Sequence, residues 1–294
     1  MLKKMKDIHN TLTRQISTTY LYQALVRQIK NDRQDEINRH KTTRKLKTTG
    51  ANQPLNIYAD GDSWFDYPIH KDIMGWLGTK AMPNTTILNM AHYGDTSTEI
   101  MGLTKRANTA KLWQDPENGK FDAICISMGG NDIVGDQFIM WVEERAVQPN
   151  PTEAIMQDRL QDMLYVVESA YNDLIAMRNQ LLPDAYIFMH GYDFAVPNGI
   201  GVCGLGPWLK PSLEYLGWKD PDEAQLIVTN ALLSFSQLLT NIEANHKNVV
   251  YVRTQGTLDP QTDWSNELHP TEAGFGKLAD KLLLALQTVF PGRI

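Results

Sequence analysis

The chain of 294 residues is long enough for one large domain or two small ones, with a sizeable buried core. Its apolar fraction of 42% and charged fraction of 21% are ordinary for globular proteins, which excludes a disordered or fibrous protein. No apolar run reaches the roughly eighteen residues that span a bilayer, and no secretory signal is visible, so we expect a cytoplasmic protein without a membrane span.

The sequence offers little for a metal ion or another cofactor to bind, and we predict neither. The two cysteines, Cys125 and Cys203, are too few for a disulfide framework and too isolated for a zinc site. No H-E-x-x-H motif is present, and no tight cluster of histidines with carboxylates. Residues 199–204 match G-x-G-x-x-G, but they lie in a long loop without the strand-to-helix context of a dinucleotide fingerprint.

Charge is unevenly distributed along the chain. Residues 1–50 contain 12 Lys or Arg and 4 Asp or Glu, which gives +8 and leaves −14 for the rest of a chain whose net charge is −6. Such a basic segment can contact nucleic acid or a membrane surface, or it can pack on the acidic face of its own protein. We favour self-packing and predict no nucleic-acid partner, and a homo-oligomer formed through the N-terminal helices is a further alternative.

The N-terminal segment is predicted to be helical. Apolar residues recur at helical spacing between residues 2 and 45, which predicts one or two helices. The segment 40–54 is polar and basic and ends in Gly and Pro, so we interpret it as a linker. The sequence therefore predicts a basic helical extension with its linker at 1–50 and a larger domain at 51–294.

From residue 55, short apolar runs alternate with longer helical patterns. Five strands are predicted, at 55–59, 86–90, 121–128, 185–191 and 248–254. The clearest helical patterns lie at 152–181, 221–246 and 271–289. Because the strands are continuously apolar and alternate with helices, they predict a parallel, doubly wound α/β sheet that is buried on both faces. The Gly- and Pro-rich segment 192–218 is too apolar for a solvated linker, and we interpret it as an ordered loop or lid.

Groups suited to acyl transfer follow the predicted strands. Ser63 lies in an Asp-Gly-Asp-Ser turn after the first strand, Gly94 follows the second, and Asn131 follows the third. His269 precedes the last helix. Ligands of doubly wound sheets bind at the carboxyl ends of the strands, so we expect these residues to converge. A serine nucleophile needs a neighbouring base, and the charge of a tetrahedral intermediate needs fixed donors such as a backbone N–H and an Asn amide.

Four sequence blocks carry a family resemblance. They are GDSW at 61–64, the glycine at 94, GGND at 129–132 and His-Pro at 269–270. In order and in strand context they resemble the four blocks of the SGNH or GDSL hydrolase superfamily, from about Leu55 to the end of the chain. The resemblance implies a three-layer α/β/α fold with a flavodoxin-like, five-stranded parallel sheet, and an esterase that works without a metal ion.

By position, the resemblance implies a role for each residue. Ser63 corresponds to the nucleophile and His269 to the general base. The backbone N–H groups of Ser63 and Gly94 and the side-chain amide of Asn131 correspond to the oxyanion hole. Trp64 replaces the Leu of the GDSL signature, which leaves the serine itself unchanged.

Position 266 departs from the family pattern, which usually has Asp three residues before the histidine. Asn266 stands there, and its carbonyl can accept the imidazole N–H but brings no negative charge. Asp263 or Glu267 is an alternative source of the carboxylate, and a catalytically impaired protein that binds an ester or a glycan is another alternative. We favour Asn266 as the residue that orients His269.

Several neighbours of these blocks are candidates for lesser roles. Trp64 and Phe65 either line the substrate site or plug the sheet beneath the next helix, and His92 and His190 are candidate substrate-binding residues. The aspartates at 95 and 132 are expected to brace their loops or cap helices rather than act as bases. The expected partner is a small-molecule ester, and lipid esters and acetylated glycans both fit the aromatic residues.

Overall fold

The computed structural model describes residues 27–28, 30–47, 53–82, 84–202 and 204–294. All five predicted strands are present. They are β1 (Leu55–Gly61), β2 (Thr85–Asn89), β3 (Ala123–Ser127), β4 (Tyr186–His190) and β5 (Val249–Val252). The strands form one sheet in the order β2-β1-β3-β4-β5, and every neighbouring pair is parallel. The predicted doubly wound α/β fold is therefore confirmed.

Helices cover both faces of the sheet. They are α1 (residues 30–47), α2 (Ile73–Lys80), α3 (Ser97–Ile100), α4 (Leu103–Gln114), α5 (Gly130–Ile133), α6 (Gln157–Leu181), α7 (Lys210–Tyr215), α8 (Pro221–Asn245) and α9 (Glu272–Val289). Helices α2 and α9 pack against each other in one layer, and α6 packs between α4 and α8 in the other. Every residue of β1 and β3 is buried between these layers.

The strand order places the candidate site. The chain leaves β1 for β2 on one side and later crosses to β3 on the other side, so the direction of winding reverses at β1. A crevice forms at the carboxyl ends of the strands where such a reversal occurs. Ser63 follows β1 directly, and residues 129–132 follow β3, so both segments lie at this crevice.

Helix α1 continues to residue 47, so the linker interpretation of the segment 40–54 is wrong for residues 40–47. His40 is 2% exposed, and its Nε2 atom lies 2.9 Å from Asn56 Oδ1 in β1. Lys41 pairs with Asp115 at 2.7 Å and with Glu117 at 2.8 Å. The described part of the basic segment therefore packs on the body of its own protein, as favoured from the sequence.

Much of the predicted extension, at 1–26, 29 and 48–50, lies outside the described residues. The division of the chain at residue 50 and a homo-oligomer formed through the N-terminal helices therefore stay predictions. Among the helices in the described ranges, none has the length and apolar character needed to cross a membrane.

Candidate active site

The turn that carries Ser63 depends on a glycine. Gly61 ends β1 with φ +145°, and a Cβ atom there would lie 2.3 Å from the carbonyl oxygen of Ser127 in β3. The next backbone N–H, from Asp62, donates to this same oxygen at 3.1 Å. The chain therefore leaves the sheet sharply while it stays bonded to β3.

Asp62 fixes this turn from within. Its carboxylate accepts hydrogen bonds from the Trp64 N–H at 3.0 Å, the Ser127 hydroxyl at 2.6 Å and the Tyr192 hydroxyl at 2.5 Å. Burial raises the pKa of Asp62 to about 6, although these hydrogen bonds act in the opposite direction. The side chain ties the turn to three groups, two of which belong to distant segments.

Ser63 and His269, which are 206 residues apart in sequence, meet at this point. The Ser63 Oγ atom lies 2.7 Å from His269 Nε2, which is hydrogen-bond distance. Both residues are nearly buried, with 7% and 8% exposure respectively. A tight turn presents the histidine, because the N–H of Ser265 donates to the His269 carbonyl at 2.9 Å.

Asn266 fixes the protonation of the histidine ring. Its Oδ1 atom lies 3.0 Å from the backbone N–H groups of Leu268 and His269, which can only donate, so the atom that faces them is the carbonyl oxygen. The same oxygen lies 3.0 Å from His269 Nδ1, which must therefore carry the proton. In the neutral ring Nε2 is then an acceptor, and it faces the Ser63 hydroxyl.

Tyr67 supports this pair and was missed from the sequence. Its ring stacks on the His269 ring with centroids 4.6 Å apart, and its hydroxyl accepts a hydrogen bond from Asn266 Nδ2 at 3.2 Å. The available signal was its position four residues after Ser63 in the same aromatic turn.

The two alternative carboxylates are bonded to other groups. Asp263 pairs with Lys277 at 2.6 Å and accepts the Asp259 N–H at 2.8 Å. Glu267 accepts hydrogen bonds from four backbone N–H groups of the loop before and at the start of α7. Neither carboxylate hydrogen-bonds His269, so the described contacts leave Asn266 as the partner of the ring.

The His269 ring is poised to stay neutral. Burial, with a smaller contribution from the positive charge of His70, lowers the pKa of His269 to about 4 from 6.5. Asn266 has no negative charge to oppose this shift. The ring is therefore able to accept a proton at any pH well above 4.

Three N–H groups are the candidate oxyanion donors. Within the described ranges, no acceptor pairs with the backbone N–H of Ser63 or of Gly94. Asn131 lines the same small pocket as Ser63 and His269, and it donates one Nδ2 hydrogen bond to the carbonyl of Asp95 at 3.0 Å. Its second N–H hydrogen is left for another acceptor.

The aspartates that follow these donors brace the structure, as expected. Asp132 accepts hydrogen bonds from Ser97 N at 2.8 Å and Ser97 Oγ at 2.7 Å, at the start of α3. Asp95 pairs with Lys105 at 2.6 Å and lies 3.4 Å from His92 Nδ1. Neither contacts the Ser63 hydroxyl.

Solved structures share this architecture. The extracellular lipase from Streptomyces rimosus matches with a TM-score of 0.50 at 15% identity, over 79% of this chain and 100% of that chain. The lipase Lip_vut3 from a goat rumen metagenome matches with a TM-score of 0.49 at 14% identity, over 79% and 97% of the two chains. The family 3 carbohydrate esterase of Clostridium thermocellum matches with a TM-score of 0.46 at 16% identity, over 81% and 100%. No protein-family model and no curated protein matches the sequence.

The same fold is indicated by the sheet order, by the sequence blocks at the strand ends and by the match to the Streptomyces rimosus lipase. This chain has the SGNH hydrolase fold. All four blocks of the SGNH resemblance lie at or near the crevice that the reversal at β1 creates.

Two of the candidate substrate-binding residues lie beneath the candidate site instead. Phe65 is 1% exposed and packs in the core against His190, with ring centroids 5.4 Å apart. His190 is 4% exposed, also stacks on Trp64, and accepts the Tyr192 N–H on Nδ1. Burial lowers the pKa of His190 to about 3, so the ring is neutral. Phe65 therefore plugs the sheet, which was the second alternative for this residue. His190 is too deeply buried to line the site.

Trp64 and His92 remain near the crevice of the SGNH fold. Trp64 is 4% exposed, lines the small pocket with Ser63, and donates from Nε1 to the Leu268 carbonyl at 3.0 Å. His92 is partly exposed and stacks on Tyr93, with ring centroids 4.5 Å apart. The His92 and Tyr93 rings line a groove of about 620 Å³ that α1 forms with the loop after β2.

The loop 192–218 is ordered against the site in its described residues, as the sequence suggested. Its anchor is Glu267, which is 0% exposed. The carboxylate lies 2.5 Å from the N–H of Trp208 and 2.6 Å from that of Leu209. The Trp208 ring stands edge-on to the His269 ring, with centroids 6.1 Å apart. Movement of this loop as a lid stays a prediction.

Proposed function

We propose that this protein is a serine hydrolase that cleaves carboxylic esters, with an acyl or acetyl ester as substrate. The observation that carries the proposal is the 2.7 Å distance between Ser63 Oγ and His269 Nε2, in a ring whose other nitrogen is bonded to Asn266. The pair supplies a nucleophile and its base, so the proposed reaction needs no metal ion.

The reaction follows from the direction of the hydrogen bonds. Ser63 Oγ attacks the ester carbonyl carbon while its proton moves to His269 Nε2. The tetrahedral oxyanion accepts hydrogen bonds from the N–H groups of Ser63 and Gly94 and from Asn131 Nδ2. The intermediate collapses as His269 gives its proton to the leaving alcohol. In the second half of the reaction, His269 takes a proton from a water molecule, which attacks the carbonyl carbon of the acyl-enzyme. His269 then gives this proton to Ser63 Oγ as the acyl bond breaks and the carboxylic acid leaves.

Asn266 affects the rate of these steps but is compatible with them. In serine proteases, exchange of the corresponding Asp for Asn lowers kcat by about ten-thousandfold, because the ring adopts the wrong tautomer. Here the N–H groups of Leu268 and His269 hold the amide oxygen toward the ring, so the tautomer is the productive one. What Asn266 lacks is only the negative charge that would stabilise the imidazolium.

Hydrolysis of a short-chain p-nitrophenyl ester tests the proposal. We expect Ser63→Ala to reduce release of p-nitrophenol to the uncatalysed background while the Tm changes little, because the hydroxyl bonds only the His269 ring among the described residues. Ser169→Ala, at an exposed position on α6, is the matched control and should retain the wild-type rate. Activity that survives in the Ser63 variant would remove this serine from its role.

The missing charge at position 266 also favours a second candidate, a protein of this fold that binds an ester or glycan without cleaving it. It predicts saturable binding of the ester with no turnover in the wild-type protein. It also predicts that Ser63→Ala leaves this affinity unchanged. Turnover that depends on Ser63 would exclude this alternative.

A further inference from the structure

Lys105, near the start of α4, makes two buried ion pairs. Its Nζ atom lies 2.7 Å from Asp60 Oδ1 and 2.6 Å from Asp95 Oδ2. The side chains are 13% exposed for Lys105, 4% for Asp60 and 16% for Asp95. An ammonium group withdrawn from water to this extent is stable only when it is paired and hydrogen-bonded.

The two carboxylates belong to the two segments that flank the candidate oxyanion hole. Asp60 is the penultimate residue of β1, and it also accepts the Tyr58 hydroxyl at 2.9 Å and the Gly61 N–H at 2.8 Å. Asp95 lies in the loop after β2, directly after Gly94. One ammonium group therefore joins the strand that delivers Ser63 to the loop that delivers the Gly94 N–H.

Asp95 extends this connection to a second donor. Its backbone carbonyl accepts the 3.0 Å hydrogen bond from Asn131 Nδ2. The position of Asp95 consequently sets where the Asn131 amide lies, as well as where the adjoining Gly94 peptide lies. Two of the three proposed oxyanion donors depend on one residue that Lys105 holds by its side chain.

The ion pairs are strong enough to keep Lys105 charged. Burial acts to lower the pKa of Lys105, and the charges of Asp60 and Asp95 outweigh it, so the pKa is raised above its usual value. Burial acts to raise the pKa of Asp95, but hydrogen bonding to His92 and the charge of Lys105 leave it below its usual value. The Lys105–Asp95 pair therefore stays ionised at neutral pH.

We propose that Lys105 is a positioning residue for the oxyanion hole, which holds the Gly94 N–H and the Asn131 amide at a fixed place relative to Ser63. This inference rests on the proposed ester hydrolysis. Oxyanion donors act on the transition state, so a loss of their position lowers kcat and leaves KM nearly unchanged.

Lys105→Met tests this role, because it keeps most of the unbranched apolar side chain and removes the ammonium group. We expect kcat for a p-nitrophenyl ester to fall by roughly tenfold to a hundredfold, below the loss from removing a donor outright, with KM within about twofold of wild type. Lys120→Met is the control, because Lys120 pairs with Asp184 on the surface, and it should keep the wild-type kcat. If Lys105→Met does not fold, Asp95→Asn, which keeps the shape but weakens the pair, must lower kcat in the same way.

A double variant separates positioning from general damage to the fold. If Lys105 acts through the oxyanion hole, Lys105→Met should lower kcat much less in an Asn131→Ala background than it does in the wild-type protein. The inference would be overturned if the factors by which the two substitutions lower kcat multiplied in full in the double variant. A Lys105→Met (or Asp95→Asn) variant with the wild-type kcat would also overturn it. A wild-type protein without Ser63-dependent hydrolysis would instead overturn the proposed function itself.

Discussion

Asn266 shows how one side chain sets the chemistry of its neighbour at the scale of a residue. Two backbone donors and Tyr67 fix the orientation of its amide, and this orientation places the proton of His269 on Nδ1. The amide adds no charge, so burial dominates and lowers the pKa of His269 to about 4. The imidazole of His269 is therefore a weak base that is neutral at neutral pH.

The pH dependence of hydrolysis tests this arrangement. Below its pKa the ring is protonated and cannot accept the Ser63 proton, so we expect kcat/KM to fall as the pH drops through about 4, rather than through 6.5. Asn266→Asp places a carboxylate beside Nδ1, which favours the imidazolium and should move this acid limb upward by about 1 to 3 pH units, with a higher kcat on the plateau.

Asn241→Asp, at an exposed position on α8, is the control for this change in charge. It should leave the pH profile where it is. An acid limb that does not move in Asn266→Asp would contradict the contact between position 266 and the ring.

At this scale the sequence indicated the candidate reacting groups but not the groups that support them. Ser63, Asn131 and His269 stand in motifs whose residue types are dictated by their chemistry. The partners of Asp62 lie 65 and 130 residues away along the chain, at Ser127 and Tyr192. Such pairs depend on the register of neighbouring strands, which no local pattern encodes. The ion pairs of Lys105 with Asp60 and Asp95 likewise join separate segments, and no local pattern encodes them.

At the scale of elements, Glu267 links the histidine turn to the loop 192–218. Its carboxylate accepts four backbone N–H groups, from residues 199, 208, 209 and 210, and no other charge is paired with it among the described residues. Backbone donors in a buried loop need acceptors, and one carboxylate supplies them all. From the sequence alone, Glu267 was an alternative partner for His269, whereas in the structure its carboxylate bonds the loop.

Glu267→Gln tests the anchor. The amide keeps the size but turns an NH₂ group toward backbone donors, so we expect the free energy of unfolding to fall by about 3 kcal/mol and proteolytic cleavage within 199–210 to accelerate. The measurements are thermal unfolding and timed proteolysis with peptide mapping. Glu272→Gln, at an exposed position in the first turn of α9, is the control, and equal stability of the two variants would show that Glu267 does not anchor the loop.

The boundaries of helices and strands were predictable where a pattern of apolar residues defines them. They were not predictable where ion pairs between distant side chains define them. The continuously apolar strands begin and end within two or three residues of their predicted limits. The end of α1 was missed because residues 40–47 look like a solvated linker, while their partners Asp115 and Glu117 belong to the turn after α4.

At the scale of the whole molecule, the sheet gathers four distant segments at one crevice. The reversal of winding at β1 places the Ser63 turn beside the loops that carry Gly94 and Asn131, and the segment after β5 returns His269 to the same place. The alternation of strands and helices predicted this convergence, because parallel strands end at one edge. The individual side-chain contacts at the crevice could be identified only in the structure.

We propose that His269 activates Ser63 as a nucleophile. A fluorophosphonate probe, which reacts covalently with activated serines, followed by peptide mapping of the intact protein, measures this directly. We predict a single stoichiometric adduct on Ser63 that is absent from a folded His269→Ala variant. Absence of labelling in the wild-type protein, or labelling that persists in Ser63→Ala, would contradict the claim.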